Sequence, residues 1–188
     1  MLSMLTSAIE ARDSYTQGHS ARVTALAEEV ARRLGWSPEQ LATLRIGGPL
    51  HDIGKLAVSD EVLRKEGRLE PDELDQIRQH PTIGARILLR MAALRDAIPY
   101  VLYHHERWDG SGYPSGKAGE EIPVEARLLA VADAFDAMTS DRPYRRALSR
   151  EEALAEVERC AGTQFDPTIA RAFLEVFGEA ELPVAAAS

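Results

Sequence analysis

The sequence predicts an all-α fold. Three observations carry that prediction. Apolar residues recur at helical spacing in one run after another. Residues suited to open a helix stand ahead of several of these runs. No strand-length alternation or hairpin signal competes with them. With 188 residues and neither repeat nor linker, the chain has the length for one domain with a sizeable core.

The elements follow in chain order. Met1 to Arg12 predicts an N-terminal helix, expected to act as a linker or to pair in a homodimer. Val23, Leu26, Ala27, Val30 and Leu34 predict the next helix, and Gly35 suits its stop. Ser37-Pro38-Glu39-Gln40 reads as a capping box with proline at the first helical position. Leu41, Leu44 and Leu50 continue that helix toward His51. Pro71 opens a short helix carrying Leu74 and Ile77, and Pro81 another carrying Ile83, Ile87 and Leu88. From Asp109 to Pro123 the chain is irregular and rich in glycine (Gly110, Gly112, Gly116, Gly119). Long ordered loops of this kind are often functional. Val124 to Met138 is the most apolar helix and is expected at the centre. Ser149 and Glu152 form a second capping box. Asp166-Pro167 caps a last helix carrying Ile169, Phe173, Val176 and Phe177. The expected organisation is a helix over 1–12, one domain over 13–180 and a disordered, Ala-rich tail over 181–188.

Composition removes several function classes. The hydrophobic share of 45% and charged share of 28% are ordinary for a globular domain. No apolar run approaches the roughly 20 residues that cross a bilayer. Met1 to Glu10 lacks the basic start and apolar stretch of a secretory signal, so a cytoplasmic location is expected. Cys160 stands alone, which excludes an internal disulfide and argues against a zinc finger; it reads as a small buried residue on a helix. The net charge of −8, with no basic face, argues against a nucleic-acid polymer as partner. That charge would also repel any phosphate ligand. A phosphate-handling site would therefore need local cations or metal ions to reverse the field.

A candidate for such a site is present. The five histidines are His19, His51, His80, His104 and His105, each near a predicted helix end or helix–loop junction. His51-Asp52 is followed by Ile53-Gly54-Lys55, and the doublet His104-His105 by Glu106. Imidazole and carboxylate together suit iron, manganese, nickel or zinc. A shared carboxylate can bridge two metal ions about 3.5–4 Å apart, which then activate water and clamp a phosphate oxygen. Asp133, within the apolar helix, reads as a buried acid that a metal would satisfy. Taken singly, each has an ordinary reading. His19 could cap a helix or lie on the surface, His80 could be a turn residue before Pro81, and Asp133 a hydrogen-bonded core acid. Spacing alone does not decide between these.

The joint pattern resembles the HD-GYP family, a branch of the HD phosphohydrolase superfamily. The motifs that carry the resemblance run in the family's order. They are Asp13-Ser14-Tyr15-Thr16-Gln17-Gly18-His19-Ser20, His51-Asp52-Ile53-Gly54-Lys55 and His80-Pro81. Then come His104-His105-Glu106-Arg107-Trp108-Asp109-Gly110-Ser111-Gly112-Tyr113-Pro114, Ala132-Asp133-Ala134-Phe135-Asp136-Ala137 and Asp141-Arg142-Pro143-Tyr144-Arg145. The His-Asp pair alone is a weak signal; the loop with Gly112-Tyr113-Pro114 is a strong one.

The resemblance implies an HD-domain helical bundle with a long GYP loop and a multi-metal centre, commonly iron or manganese, with nickel, zinc or magnesium as alternatives. It implies hydrolysis of cyclic di-GMP to pGpG, to GMP or to both, through hydroxide activated by two metals. By matching position, His19, His51, Asp52 and Asp133 hold one metal. Asp52 bridges to a second, held also by His80, His104 and His105. Lys55 matches a lysine near the scissile phosphate, Gly112 and Tyr113 a loop that contacts the ligand, and Arg142 and Arg145 basic positions that grip its phosphates. We expect a guanine to stack on Tyr113, Trp108 to anchor the loop, and Glu106 and Asp109 to support the site without binding metal. Relatives with a third metal carry a glutamate four residues before the first histidine. Tyr15 stands there, so two metals are expected. Family members are also implicated in contacts with other signalling proteins. Two rival readings stay open at this point: an HD phosphohydrolase acting on another nucleotide or another cyclic dinucleotide, and a non-hydrolytic cyclic-dinucleotide sensor or protein-interaction module.

Overall fold

The computed structural model describes residues 12, 18–65, 67–141 and 146–178. Tyr15, Arg142 and Arg145 lie outside the described residues, as do the tail over 181–188 and all of the expected N-terminal helix except Arg12. Helices are α1 His19–Arg33, α2 Pro38–Leu50, α3 Asp60–Leu63, α4 Pro71–Arg78, α5 His80–Leu89, α6 Ile98–Tyr103, α7 Val124–Thr139, α8 Arg150–Arg159 and α9 Pro167–Gly178. Short 3-10 turns cover Ile53–Ala57, Ala92–Ala97 and Gly119–Glu121. Among the described residues there is no strand, only an isolated bridge between Ala161 and Phe165. The fold is an all-α bundle, as the periodicity predicts.

The helix ends follow their caps. The Ser37 hydroxyl accepts from Gln40 N at 3.3 Å, and the Gln40 side chain accepts from Ser37 N at 2.9 Å. Ser149 and Glu152 repeat the arrangement at 3.2 and 2.8 Å. Asp166 caps α9 by accepting from Thr168 N at 2.7 Å. Each such cap satisfies backbone donors that the first helical turn leaves without partners, and stabilises by about 1 kcal/mol.

α7 sits at the centre and packs against α1, α6, α8 and α9. Its Leu128, Leu129, Val131 and Ala132 are fully buried. Burying one such leucine contributes about 1.5–3 kcal/mol. α1 meets it with the stripe Val23, Ala27, Val30 and Ala31, and α9 with Ile169, Ala170 and Phe173. A second apolar cluster joins Leu50, Ile53, Leu88, Leu94, Ala97 and Val101. It fixes the end of α2 and the turn after it against α5 and α6. Cys160 is buried at the end of α8, in the main core.

One correction concerns Asp133. It is not the fully buried acid of α7: its side chain is 19% exposed. The deeply buried acid is Asp136, one helical turn further on.

Candidate metal centre

Four histidines are oriented by what their Nδ1 atoms bond. His51 Nδ1 donates to the Gly48 carbonyl at 2.7 Å, His80 Nδ1 to Ile77 at 2.7 Å and His104 Nδ1 to Val101 at 3.0 Å. The acceptor stands three residues earlier each time, at or near the C-terminal end of a helix (α2, α4, α6), where carbonyls lack helical partners. His19 Nδ1 donates instead to Asp136 Oδ2 at 2.7 Å. A carbonyl or carboxylate can only accept, so Nδ1 carries the proton. In the neutral ring, Nε2 is then left with its lone pair. This is how metal-binding histidines are usually held.

The rings converge. His19 and His51 lie 5.4 Å apart between centroids, His51 and His104 5.1 Å, His80 and His104 5.3 Å, and His104 and His105 4.0 Å. Two groups have all their ligand atoms within 4.8 Å of one another: His19, His51 and Asp52, and Asp52, His80, His104 and His105. Asp52 belongs to both. Asp133 Oδ1 lies 3.2 Å from His19 Nε2, beside the first group. All seven residues expected as ligands are thus brought together.

The donor set fits divalent metal ions, and two features of the geometry favour a cation there. His51 Nε2 is buried without a hydrogen-bond partner. Leaving such an atom unsatisfied costs about 1–3 kcal/mol. His80 Nε2 and His104 Nε2 approach to 3.3 Å, although both rings already donate through Nδ1. Two lone pairs at that distance attract only through a cation or proton between them. Burial, and then His105, His51 and His80 nearby, push the His104 pKa well below the usual imidazole range. Burial brings His105 down to about 4. Both therefore offer lone pairs at neutral pH.

The acids are tuned the opposite way. Burial would raise Asp52, but Lys55, then His51 and His80, outweigh it and hold its carboxyl well below the usual range. Burial likewise opposes ionisation of Asp133, and His19 overcomes it. Lys55 Nζ lies 2.8 Å from Asp52 Oδ2 and 18% of its side chain is exposed, so its ammonium stands at the open side of the shared carboxylate. For His19, burial opposes charge. Hydrogen bonds to Asp133 and Asp136 outweigh it and lift the pKa to about 9, so a metal at Nε2 would displace a proton.

Two glycines set how closely these parts approach. A Cβ on Gly54 would lie 1.8 Å from the His80 carbonyl oxygen, so only glycine lets the turn carrying Asp52 and Lys55 press against the start of α5. A Cβ on Gly112 would lie 2.4 Å from Arg107 N, and Tyr113 N donates to the His105 carbonyl at 3.2 Å. Gly112 folds the long loop back onto the histidine doublet. Tyr113 then stacks on His105, with centroids 4.8 Å apart and planes inclined by 27°. Arg78 lies 5.8 Å from the centroid of the same ring.

Several side chains and backbone groups brace the loop. Buried Glu106 accepts from Ser115 N at 2.7 Å and Lys117 N at 3.1 Å. Asp109 accepts from Ser111 N at 2.9 Å. Trp108 N donates to the Gln164 carbonyl at 3.1 Å, and Arg127 lies 5.7 Å from its ring. The sequence reading missed Asp136 and Arg22. Arg22 Nε donates to Asp136 Oδ1 at 2.6 Å while Asp136 orients His19. Helical spacing carried the signal: Asp136 follows Asp133 by three residues, and Arg22 follows His19 by three.

The comparisons with known proteins bear on this geometry. A family model described as HD domain matches residues 3–169. The chain belongs to the HD-domain family. Among HD-domain relatives, a cyclic di-GMP phosphodiesterase of Thermotoga maritima is 42% identical over 178 residues, covering 94% of this chain and 48% of that protein. The cyclic di-GMP phosphodiesterase response regulator RpfG of Xanthomonas campestris is 44% identical over 188 residues, covering 96% and 48%. A 3'3'-cGAMP-specific phosphodiesterase 3 of Vibrio cholerae is 38% identical over 159 residues, covering 85% and 35%. The chain thus spans about half the length of these relatives or less. A cyclic GMP-AMP-specific phosphodiesterase structure from V. cholerae has a similar fold, with a TM-score of 0.74 at 20% identity over 94% of this chain and 47% of that one. So does Bd1817 of Bdellovibrio bacteriovorus, at 0.69 and 20%, over 85% and 51%. Among the described residues, no helix is long and apolar enough to cross a membrane.

Proposed function

We propose that the chain hydrolyses the phosphodiester bonds of cyclic di-GMP with two divalent metal ions. The carrying observation is the pair of ligand groups that share Asp52. His19, His51, Asp52 and Asp133 would hold one ion, and Asp52, His80, His104 and His105 the other. The mixed imidazole and carboxylate set suits iron, manganese, nickel or zinc, and magnesium less well; iron or manganese is our choice on the resemblance to the HD-GYP family. Bound there, the pair would supply Lewis-acid neutralisation of phosphate charge and acidify water.

The chain's own residues do the rest. The carbonyls of Gly48, Ile77 and Val101 fix three imidazoles so that Nε2 faces the centre. The Lys55 ammonium, at the open side of Asp52, would bind the scissile phosphate and assist the departing oxygen. Opening one ester gives linear pGpG; opening the second gives GMP. The relatives named for cyclic di-GMP, at 42% and 44% identity, support this base choice. The V. cholerae relative at 38% supports 3'3'-cGAMP as a second reading of the same site. A non-hydrolytic sensor would tolerate the loss of ligands, whereas all seven expected ligand positions are filled here.

The test is hydrolysis of cyclic di-GMP and 3'3'-cGAMP by metal-loaded protein, followed by product analysis. Wild type should cut cyclic di-GMP preferentially. Lys55→Ala should lower kcat by about 100-fold or more with metal content unchanged. No hydrolysis of either dinucleotide by the metal-loaded wild type would overturn the proposal.

A further inference from the structure

We propose that Arg78 and Arg86 form a second phosphate subsite, one that takes the phosphodiester of the cyclic dinucleotide remote from the bond being cleaved. The inference rests on the substrate class proposed above and assigns residues to it that the family motifs do not include. A cavity of about 450 Å³ adjoins the metal centre, lined by Asp75, Arg78, Gln79, Thr82, Arg86 and Tyr113, among others. Tyr113 joins the two, because its ring stacks on His105 and also faces Arg78.

The spacing is regular. Arg78 closes α4, and Thr82 and Arg86 follow on α5 at successive four-residue steps. Gln79 between the helices has helical backbone angles, and Ile83 N donates to its carbonyl at 3.0 Å. Residues four apart lie on one face, and all three side chains line the cavity. α5 begins with His80, so one helix carries both a metal-ligand candidate and the remote cation.

The charge balance points to an anion. Both arginines are exposed, and neither forms an ion pair among the described residues. Asp75 shares the wall, so two guanidiniums face one carboxylate. Gln79, Thr82 and the Tyr113 hydroxyl supply neutral donors. Guanidinium forks match phosphate oxygens in geometry as well as charge. A cyclic dinucleotide carries two diesters, and the metal centre with Lys55 can receive only one. In a chain of net charge −8 the other is best held by cations of its own, which Arg78 and Arg86 would supply beside the phosphate contacts expected of Arg142 and Arg145.

The test compares two substrates. Cyclic di-GMP has a second diester; bis(p-nitrophenyl) phosphate has only one. In metal-loaded Arg78→Ala/Arg86→Ala, KM for cyclic di-GMP should rise by about tenfold or more with kcat nearly unchanged. Cleavage of the small diester should stay at the wild-type level. Arg78→Lys/Arg86→Lys should recover part of the loss, since it keeps charge without the fork. An equal effect on both substrates, no effect on either, or a fall in kcat at unchanged KM would overturn the subsite. The substrate reading fails separately, in the wild type. If wild type cuts the small diester but neither dinucleotide, substrate class and subsite fall together. If it prefers 3'3'-cGAMP, only the base choice fails, because that ligand also has two diesters and takes the same test.

Discussion

At the scale of single residues, His19 shows how the site is assembled. Its ring lies between two acids of α7, with Asp136 at Nδ1 and Asp133 at Nε2. Asp133 is positioned to share a metal; Asp136 orients the ring and is itself held by Arg22. Burial would raise the Asp136 pKa, but His19 and Arg22 keep it depressed and so ionised. Asp136→Asn keeps the shape and removes the charge. Metal affinity, measured by chelator competition, should fall about 10–100-fold while the helical circular dichroism is unchanged. Unaltered affinity would mean that Asp136 only packs. The seven candidate ligands were readable because histidine and aspartate are rare enough in such arrangements to stand out. Asp136 and Arg22 were not, because an acid or arginine on an amphipathic helix is unremarkable until its partner is known.

At the scale of elements, the site is built at helix ends. His51 follows α2, His80 opens α5 directly after α4, and His104 follows α6. The capping boxes of α2 and α8 were legible, since caps are local chemistry. α6 was not: six residues beginning Ile98-Pro99 are too short to show a period. The turn Ile53–Ala57 was hidden for the same reason, although Gly54 is indispensable to its seating against His80. The long loop was recognisable from its glycines, yet what holds it is Glu106, whose carboxylate gathers Ser115 N and Lys117 N. Glu106→Ala leaves these donors without that acceptor, at a cost of about 1–3 kcal/mol. Hydrogen exchange between Gly110 and Gly119 should speed up and KM for the dinucleotide should rise, with metal content intact. Unchanged exchange would show that Glu106 does not brace the loop.

At the scale of the whole molecule, the bundle sets an electrostatic problem that the proposed metal pair would resolve. The chain carries net charge −8 yet converges five imidazoles on two carboxylates in its interior. The all-α fold followed from periodicity because one apolar helix, α7, organises the others by burial. The site's completeness could not follow from periodicity, since it depends on residues from His19 to Asp136 meeting through tertiary packing. The cations at Arg78 and Arg86 lay outside every motif and became visible only as the walls of a cavity.

The most direct measurement is metal stoichiometry, determined by elemental analysis on anaerobically purified wild type and on Asp52→Ala. Two ligand groups sharing one carboxylate predict about two metal ions per wild-type chain, and loss of metal from both positions in the variant. Asp52→Ala protein that keeps two metals per chain would contradict the account.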